Sequence, residues 1–316
     1  MPLPALDNIP VLVTGGAGFI GSHLVDALVE GGAQVRVLDN LSTGLQENLA
    51  HLDGVIDLLE GDLRDTEACR RACAGVELVF HQAALGSVPR SLADPATSFE
   101  VNVSGTANLL AAARDGGVRR VVYASSSAVY GDSPELPKRV GWEGQPLSPY
   151  AASKRMNEDL AQVFHRCYAL ELVGLRYFNV FGPRQRPDGP YAAVIPRFFA
   201  AYAAGKAPVI YGDGEQSRDF TYVGDAVRAN LLAAGAPAEA AAARAYNVAC
   251  GRRTTVNELA GWVRQLSGGG PEPIHQELRA GDVRHSLADL AATTEAIGYE
   301  PEVDIETGLA KLAEVW

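Results

Sequence analysis

The chain is 316 residues long, more than one hydrophobic core usually organises, so we expect a large domain joined to a smaller one. Hydrophobic residues make up 47% and charged residues 21%, which is typical of a soluble globular protein and argues against a disordered chain. The formal net charge of -11 argues against nonspecific binding to nucleic acid or to an anionic membrane surface.

The first residues lack a basic segment followed by an apolar one, and no stretch approaches about 18 uninterrupted apolar residues. We therefore expect a cytoplasmic protein with no membrane partner. The four cysteines, Cys69, Cys73, Cys167 and Cys250, form no C-x-x-C pair. Cys69 and Cys73 fit one helix face, but without a nearby histidine they indicate reduced core thiols. We predict no disulfide and no metal.

Short β-branched runs alternate with helical periodicity through the first half of the chain. The predicted strands are residues 9–14, 34–39, 55–60, 77–83, 119–125 and 171–177. This alternation predicts an α/β fold, a parallel sheet covered by helices on both faces. We assign residues 1–178 to this first domain.

The pattern loosens after about residue 180, where five prolines interrupt it: Pro183, Pro187, Pro190, Pro196 and Pro208. We assign residues 179–316 to a smaller mixed α/β C-terminal lobe. The helical run from residue 223 and the apolar strand at 245–249 are expected to return to the first domain. In that case the first domain takes back about 223–249 and the second is discontinuous.

A glycine-rich turn directly follows the first predicted strand and opens a helix. Gly15, Gly18 and Gly21 recur at three-residue spacing, and Asp39 closes the next strand 18 residues after Gly21. Glycines in this context permit a tight turn and let backbone N-H groups reach a pyrophosphate, while the acidic residue accepts a ribose 2'-hydroxyl. The context predicts a Rossmann-type doubly wound domain that binds a dinucleotide. Asp39 would repel a 2'-phosphate, so NAD is favoured over NADP.

Three further positions border this predicted site. Asp62 either reaches the adenine end of the dinucleotide or caps a helix that begins near Arg64, and both alternatives stay open. His81 is interpreted as a packed histidine at a strand end rather than an acid or base. The small side chains of Ala83 and Ala84 would leave room for the cofactor.

A second motif, Tyr150-Ala-Ala-Ser-Lys154, follows Ser148-Pro149, which is typical of a helix start. The spacing places Tyr150 and Lys154 on one helix face. We expect the Lys154 cation to lower the pKa of Tyr150, so that Tyr150 can act as a general base. The strand that ends in Ser125-Ser126-Ser127 would present hydroxyl groups at the ligand-binding edge of the sheet, although serines are also common in turns.

Together with four further segments, these motifs resemble the extended short-chain dehydrogenases/reductases, and specifically the UDP-sugar 4-epimerases that use UDP-N-acetylglucosamine. The segments begin at His81 (HQAALGSVP), Arg176 (RYFNVFGP), Arg218 (RDFTY) and Arg279 (RAGDVRHS). The resemblance covers nearly the whole chain. It implies an isomerase that oxidises C4 of the sugar with NAD and returns the hydride to the opposite face, so that NAD stays bound.

The resemblance also implies roles for individual residues. Ser126, Tyr150 and Lys154 would be catalytic, with Ser126 on the sugar O4, Tyr150 as the base and Lys154 on the nicotinamide ribose. The implied NAD contacts are Gly15, Gly18, Phe19, Ile20, Gly21, Asp39, Asn40, Asp62, Leu63, Ala83, Ala84, Tyr150, Lys154 and Tyr177. The implied substrate contacts are Ser87, Ser126, Ser127, Tyr150, Asn179, Ala193, Val194, Arg197, Tyr211, Arg218, Arg279, Asp282 and Ser286. Arg218 and Arg279 would hold the diphosphate, for which guanidinium groups are suited.

Related reactions are weighed by the same residues. Dehydratases of the family need an acidic residue beside the active-site hydroxyl, and Ser127 and Ala128 follow Ser126 here, which disfavours dehydration. Decarboxylases also place an acidic residue near that strand end, but their reaction starts with the same C4 oxidation, so a decarboxylase or another nucleotide-sugar enzyme of the family stays an alternative. Ser286 matches a pocket wall that screens the C2 substituent, and a small residue there favours an N-acetyl group over plain UDP-glucose or UDP-galactose. Its alternative is an ordinary polar residue before a helix start. A UDP-uronic acid remains an alternative substrate, with Arg90, Arg184, Gln185 or Arg197 near the sugar.

A non-enzymatic alternative is a protein that only binds NAD and senses it. That alternative predicts loss of the Ser, Tyr and Lys set, which is present. In the family the segment 97–114 and the helix 148–168 pair with their copies, and both carry apolar residues on more than one side. We expect a homodimer, with intramolecular packing as the alternative.

Overall fold

The computed structural model describes residues 3–188, 192–277 and 284–316 of the chain. The strands in these ranges are β1 (Pro10–Thr14), β2 (Gln34–Asp39), β3 (Asp57–Glu60), β4 (Leu78–His81), β5 (Arg120–Ser126), β6 (Glu171–Tyr177), β7 (Val180–Phe181), β8 (Val209–Tyr211), β9 (Ser217–Asp219), β10 (Thr221–Tyr222), β11 (Arg244–Val248), β12 (Arg253–Thr255) and β13 (Ile274–Gln276).

The helices in the same ranges are α1 (Phe19–Glu30), α2 (Thr66–Cys73), α3 (Val88–Ala93), α4 (Pro95–Phe99), α5 (Gly105–Asp115), α6 (Pro149–Tyr168), α7 (Val194–Ala203), α8 (Val223–Gly235), α9 (Ala238–Ala241), α10 (Val256–Leu266), α11 (Ala291–Ile297) and α12 (Ile305–Ala313). A π-helical turn, Glu100–Ser104, joins α4 to α5. Gln46–Leu52 and Ser127–Tyr130 form 3-10 turns. In the described ranges, no helix combines the length and hydropathy needed to cross a bilayer.

Among the described residues, seven strands form one parallel sheet in the order β11-β6-β5-β4-β1-β2-β3. The chain leaves β1 toward β2 and β3, then crosses back to β4 and continues outward on the other side. This reversal between β1 and β4 opens a crevice at the carboxyl ends of the strands, which is where doubly wound sheets bind ligands. The predicted Rossmann-type fold is confirmed.

Both faces of the sheet are buried, as the apolar composition of its strands predicts. Successive residues of β1 show the alternation: Val11 and Val13 pack in one core with α1 and α8, whereas Leu12 packs in the other with α2, α5 and α6. All three side chains are fully buried. The sheet is therefore the middle layer of three.

The observed strands differ from the predicted ones mainly at their ends. The predictions for 34–39 and 171–177 match β2 and β6. The strand predicted at 77–83 ends at His81, because the residues that follow leave the sheet to line the crevice. The strand predicted at 245–249 is β11, which pairs in parallel with β6 at the sheet edge. Residues 223–248 therefore return to the sheet after the chain has left it.

The smaller lobe holds its own apolar core, formed largely by α7, α10 and α12. Phe198, Leu259, Val263 and Leu309 are buried together there. Helix α10 begins with a capping box in which Thr255 and Glu258 satisfy each other's backbone N-H groups. Short two-stranded pairs, β7 with β10, β8 with β13 and β9 with β12, complete the lobe in the described ranges.

Candidate active site

The glycine-rich turn joins the end of β1 to the start of α1. Gly15 has φ +70, and a Cβ there would lie 2.6 Å from the backbone nitrogen of Ala83. A Cβ on Gly21 would lie 2.0 Å from the carbonyl oxygen of Gly15. Both positions therefore require glycine, because the turn packs directly against neighbouring backbone. The first N-H groups of an α-helix have no partner within the helix, so the start of α1 at this turn can donate them to a phosphate.

Asp39 lies at the end of β2, beside this turn, and is 7% exposed. Its carboxylate accepts hydrogen bonds from the backbone N-H of Ala17 at 3.0 Å and of Leu41 at 2.8 Å. Burial raises the pKa of Asp39, and these two bonds oppose the shift. The carboxylate is thus held in one orientation at the edge of the crevice.

Asp62 follows β3 and contacts Asn40 and Arg64. Asn40 donates to its carboxylate at 2.8 Å, and the Arg64 guanidinium donates to both of its oxygens, which holds the pKa of Asp62 well below its usual range. The helix-cap alternative for Asp62 is wrong. Helix α2 begins at Thr66 and is capped by Asp65, whose side chain accepts from the backbone N-H of Glu67 at 2.9 Å.

These residues border one cavity of about 710 Å³ at the carboxyl ends of the sheet strands, which we call the main cavity. Every residue predicted to contact NAD lines it, from the glycine turn and Asp39 at one end to Tyr150, Lys154 and Tyr177 at the other. The cradle that only glycine permits and the fixed Asp39 carboxylate fit the pyrophosphate and adenosine ribose of NAD.

Ser126, Tyr150 and Lys154 converge at the far end of the main cavity. Ser126 is the last residue of β5, and its hydroxyl oxygen accepts from the backbone N-H of Ala128 at 3.1 Å. Tyr150 lies in the first turn of α6, which Ser148 caps by accepting from the N-H of Ala151, as predicted from Ser148-Pro149. The Lys154 ammonium donates to the carbonyl oxygen of Ala124 at 2.8 Å.

The electrostatics of this group differ from the prediction. Burial raises the pKa of Tyr150, and a hydrogen bond with Ser126 opposes the shift. The Lys154 Nζ lies 5.9 Å from the centroid of the Tyr150 ring. The prediction that Lys154 lowers the pKa of Tyr150 is wrong as to the net direction, because burial of the phenol dominates.

His81 is fully hydrogen-bonded within the sheet, as predicted. Its Nδ1 lies 2.7 Å from the Thr14 hydroxyl and its Nε2 lies 2.9 Å from the Thr106 hydroxyl. Burial lowers the pKa of His81 to about 3, so the ring is neutral. The side chain joins β1, β4 and α5 rather than serving as an acid or base.

Most of the predicted substrate residues are distributed over the main cavity and two further cavities. Asn179 lines the main cavity and also a neighbouring one of about 330 Å³, which we call the lobe cavity. Val194, Arg197, Tyr211 and Arg218 line the lobe cavity. Ser127 and Ala193 line the main cavity, with Ala193 shared with the cavity described next.

A side cavity of about 470 Å³ opens beside the main one and is lined by Ser87, Arg90, Arg184 and Gln185. Arg197, predicted as an alternative to these arginines, lies in the lobe cavity instead. Arg184 pairs with Asp26 at 2.8 Å, although its Nη1 atom is buried without a hydrogen-bond partner. The arginines considered for the sugar are thus separated into two places.

Ser286 lies in the segment beside β9, where its backbone N-H donates to the carbonyl oxygen of Ser217 at 3.0 Å. The linings of the main, lobe and side cavities do not include it. The helix start expected directly after Ser286 is wrong, because α11 begins at Ala291, whereas the interpretation of Ser286 as an ordinary polar residue stays open. Arg279 and Asp282, predicted diphosphate and ribose contacts, lie outside the described residues.

Cys69 and Cys73 lie on one buried face of α2, as predicted, and burial raises the pKa of these thiols to about 11 and about 12. The described residues hold no group of three or more His, Cys, Asp and Glu side chains arranged to bind a metal ion.

Comparison with known proteins decides the family. A family model described as the NAD dependent epimerase/dehydratase family matches residues 11–249. The chain belongs to this family. It is an extended short-chain dehydrogenase/reductase, and its cofactor is NAD.

Several relatives that match nearly the whole chain are UDP-sugar 4-epimerases. A putative UDP-glucose 4-epimerase of Methanocaldococcus jannaschii is 38% identical and is covered over 96% of both chains. The solved structure of the UDP-N-acetylglucosamine 4-epimerase of Methanobrevibacter ruminantium, in complex with UDP-N-acetylmuramic acid, has a TM-score of 0.92 at 41% identity and 98% coverage of both chains. The Thermus thermophilus UDP-glucose 4-epimerase, in complex with NAD, has a TM-score of 0.87 at 38% identity, covering 97% of this chain and 98% of that one. The chain is therefore an isomerase, a UDP-sugar 4-epimerase.

Some residues around the epimerase site were not predicted. Gln82 and Ala124 line the main cavity, and Gln82 forms a closed ring of hydrogen bonds with Tyr177 and Asn230. Asn230 belongs to α8, so its contact with the site depends on the returning segment. The motif that begins at His81 points toward Gln82, but no local signal in the sequence pairs it with Asn230.

Proposed function

We propose that the protein interconverts the C4 epimers of a UDP-hexose, with UDP-N-acetylglucosamine and UDP-N-acetylgalactosamine as the principal pair. The observation that carries the proposal is the convergence of Ser126, Tyr150 and Lys154 at one end of the main cavity, opposite the glycine cradle. The lobe cavity with Arg197 and Arg218 adjoins it through Asn179 and supplies cations for a diphosphate.

In this proposal the glycine turn, Asp39 and Lys154 hold NAD, which when bound accepts a hydride from C4 of the sugar and returns it. Tyr150 takes the proton from the O4 hydroxyl and gives it back after the sugar has turned over. Ser126, which hydrogen-bonds to Tyr150, orients the O4 atom toward the phenol. General acid-base catalysis of this kind contributes about 10²- to 10⁴-fold to a rate.

The carboxylates of the main cavity support epimerisation over elimination. Among the described residues that line it, the carboxylates are Asp39 and Asp62. Both follow strands on the glycine-turn side of the sheet, whereas Ser126 and Tyr150 lie at the other end. Dehydration or decarboxylation needs an acid near the sugar, and Ser127 and Ala128 occupy the positions after Ser126.

The preference for an N-acetylated sugar is proposed from Ser286 and from the likeness to the Methanobrevibacter ruminantium enzyme. A small residue at position 286 would leave volume for the acetamido group if the substrate extends toward the segment beside β9. UDP-glucose and UDP-galactose would also fit, because a smaller C2 substituent requires less space.

A UDP-uronic acid is the second candidate substrate. The side cavity supports it, because Arg90 and Arg184 line that cavity and a sugar carboxylate would need a cation. Arg90 also lines the main cavity, so its guanidinium group borders both spaces.

We also propose a homodimer formed through the faces of α5 and α6. Met156, Val163 and Tyr168 are exposed on α6. Apolar side chains left on the surface of a long helix are typical of helix pairing between subunits. Light scattering should give the mass of two chains, and a monomer at micromolar concentration would contradict the dimer.

The test of the function incubates purified protein, without added NAD, with each of four sugars in separate reactions. They are UDP-N-acetylglucosamine, UDP-glucose, UDP-glucuronic acid and UDP-N-acetylglucosaminuronic acid. Proton NMR follows the coupling at H4, which differs between the epimers. Interconversion without added NAD is expected, fastest with UDP-N-acetylglucosamine. Bound NAD with no interconversion of any of the four would contradict the proposal, and faster conversion of a uronic acid would select the second candidate.

A further inference from the structure

A buried polar cluster lies next to the catalytic residues. We call it the Arg176 cluster and define it by Arg176, Glu158, Glu143, Ser125 and Tyr130. The Arg176 guanidinium donates to both oxygens of Glu158, at 2.8 and 2.7 Å, and to the Tyr130 hydroxyl at 3.1 Å. It also donates to Glu143, and the Ser125 hydroxyl donates to Glu158 at 2.6 Å.

Three members of the cluster, Ser125, Arg176 and Glu158, are adjacent to the active site along the chain or along a helix. Ser125 precedes Ser126 in β5, and Arg176 precedes Tyr177 in β6. Glu158 follows Lys154 by four residues in α6, so the two side chains lie on one face of the helix. The cluster therefore lies next to Lys154, and its member Ser125 also lines the main cavity.

The charges in the cluster are unequal. The side chains of Arg176, Glu158 and Glu143 are 4%, 6% and 10% exposed, so two carboxylates share one buried guanidinium. A further cation, Arg155, lies 3.6 Å from Glu143, where it is 40% exposed. Glu143 thus has two cationic partners, whereas Glu158 has Arg176 and lies one helical turn from the next buried cation, Lys154.

Lys154 needs such a partner because it is only 3% exposed. Burial lowers its pKa to about 8, and the charge of Glu158 opposes the shift. Three titratable groups on the surrounding elements, His81, Tyr150 and Tyr123, supply no anion at neutral pH. His81 is neutral, the pKa of Tyr150 is raised by burial, and Tyr123 of β5 has its pKa raised by burial and by Glu158.

We propose that Glu158 is a positioning residue that keeps the Lys154 ammonium charged in the active site. Its carboxylate is fixed by Arg176 and Ser125, so that it acts on Lys154 from one place without forming a direct ion pair. An ion pair would draw the ammonium away from Ala124 and the catalytic end of the cavity. Arg176 and Glu143 then hold Glu158 rather than act on Lys154. The inference rests on the proposed role of Lys154.

The chain offers a direct measurement, because it contains only four lysines: Lys138, Lys154, Lys206 and Lys311. Protein made with lysine labelled with carbon-13 at Cε, and saturated with NAD, should give four resonances. The resonance missing from Lys154→Arg identifies Lys154. Its shift against pH reports its charge with no substrate present, so the result does not depend on epimerase activity.

Three variants test the inference. In Glu158→Gln the Lys154 midpoint should fall by about one pH unit or more, because the amide keeps the hydrogen bond to Ser125 but removes the charge. In Glu143→Gln, the matched control, the Lys154 midpoint should move by less than about 0.3 pH units. Glu158→Gln combined with Arg176→Met removes the cation that would otherwise lose a partner, and should show the same fall.

Turnover against pH gives a second readout. Lys154 is charged below its pKa and neutral above it, so wild-type turnover should fall as pH rises through about 8. The pH at which turnover falls should be lower in Glu158→Gln and unchanged in Glu143→Gln. A merely structural role for Glu158 would lower the melting temperature of Glu158→Gln and leave the Lys154 midpoint unchanged.

The outcomes separate the inference from the proposed function. An inactive wild-type protein with a shifted Lys154 midpoint in Glu158→Gln overturns the function and supports the inference. An active protein whose midpoint is the same in wild type and Glu158→Gln overturns the inference alone. If neither Glu158→Gln nor the double variant folds, Glu158 serves the fold rather than the charge of Lys154, and the inference fails.

Discussion

The sheet domain and the smaller lobe contribute to the site in different ways. Every residue predicted to hold the dinucleotide lines the main cavity, whereas the residues predicted to hold the substrate divide among three cavities, line none of them, or lie outside the described residues. The strand ends of a parallel sheet meet at one edge, so their positions follow from the order of elements. The lobe has short strand pairs whose partners are distant in sequence, such as β9 with β12. Binding residues in such loops depend on contacts that the local pattern does not contain.

Tyr150→Phe should have the largest effect and shows whether the catalytic end depends on a single proton carrier. We expect turnover to fall about 10³-fold, because the phenol that exchanges the O4 proton is lost. Bound NAD, measured by absorbance after denaturation, should stay at the wild-type amount. Tyr168→Phe, at the exposed end of the same helix, is the control and should retain full turnover. Turnover near wild type in Tyr150→Phe would remove Tyr150 as the base.

Gly15→Ala tests the sheet domain at its most constrained point. The added Cβ would meet the Ala83 backbone at 2.6 Å in a backbone conformation that disfavours alanine, so NAD affinity should fall about 10²-fold. Gly75→Ala is the matched control, because Gly75 has φ +71 and nothing within 4 Å of an added Cβ. It should lose about 1 kcal/mol of folding stability and keep NAD, as calorimetry would show. Equal NAD loss in both variants would mean that backbone strain, not the close approach, matters.

Asp219→Ala tests what holds the lobe together. The fully buried Asp219 carboxylate accepts from the backbone N-H groups of Cys250, Gly251 and Ala288, at 3.0 to 3.1 Å. Leaving three N-H groups without a partner should cost about 3 kcal/mol of the free energy of unfolding, measured in urea. Asp213→Ala, at an exposed aspartate of the same lobe, should cost less than about 0.5 kcal/mol. Similar losses of stability in the two variants would show that Asp219 does not hold the lobe together.

Ser286→Tyr should have the smallest effect and bears on the least determined part of the site. If position 286 limits the C2 substituent, the ratio of kcat/KM for UDP-N-acetylglucosamine to that for UDP-glucose should fall about tenfold, because an aromatic side chain would exclude the acetamido group. Ser267→Tyr, in the exposed turn after α10, is the control. An unchanged ratio would remove Ser286 from the specificity pocket.

Much of the sheet domain could be predicted from sequence, because strand composition, glycine spacing and a cap signal are local. The roles of Gly15, Asp39 and Ser148 can each be inferred from a single short segment. The net pKa of Tyr150 could not be predicted, because it depends on how deeply the fold buries the phenol. Asp62 shows the same limit on a smaller scale, since the sequence left open whether it caps a helix, and the backbone path makes Asp65 the cap.

The ring of hydrogen bonds among Gln82, Tyr177 and Asn230 has a consequence for synthesis of the chain on the ribosome. The residues of this ring lie far apart in the sequence, with 148 positions from Gln82 to Asn230. The edge strand beside β6 is made later still, at residues 244–248. A nascent chain that has completed the glycine turn and Tyr150 but not α8 and β11 therefore lacks the Asn230 side chain that holds Gln82 and Tyr177, two residues that line the main cavity. Capture of the cofactor should follow, rather than precede, emergence of the returning segment.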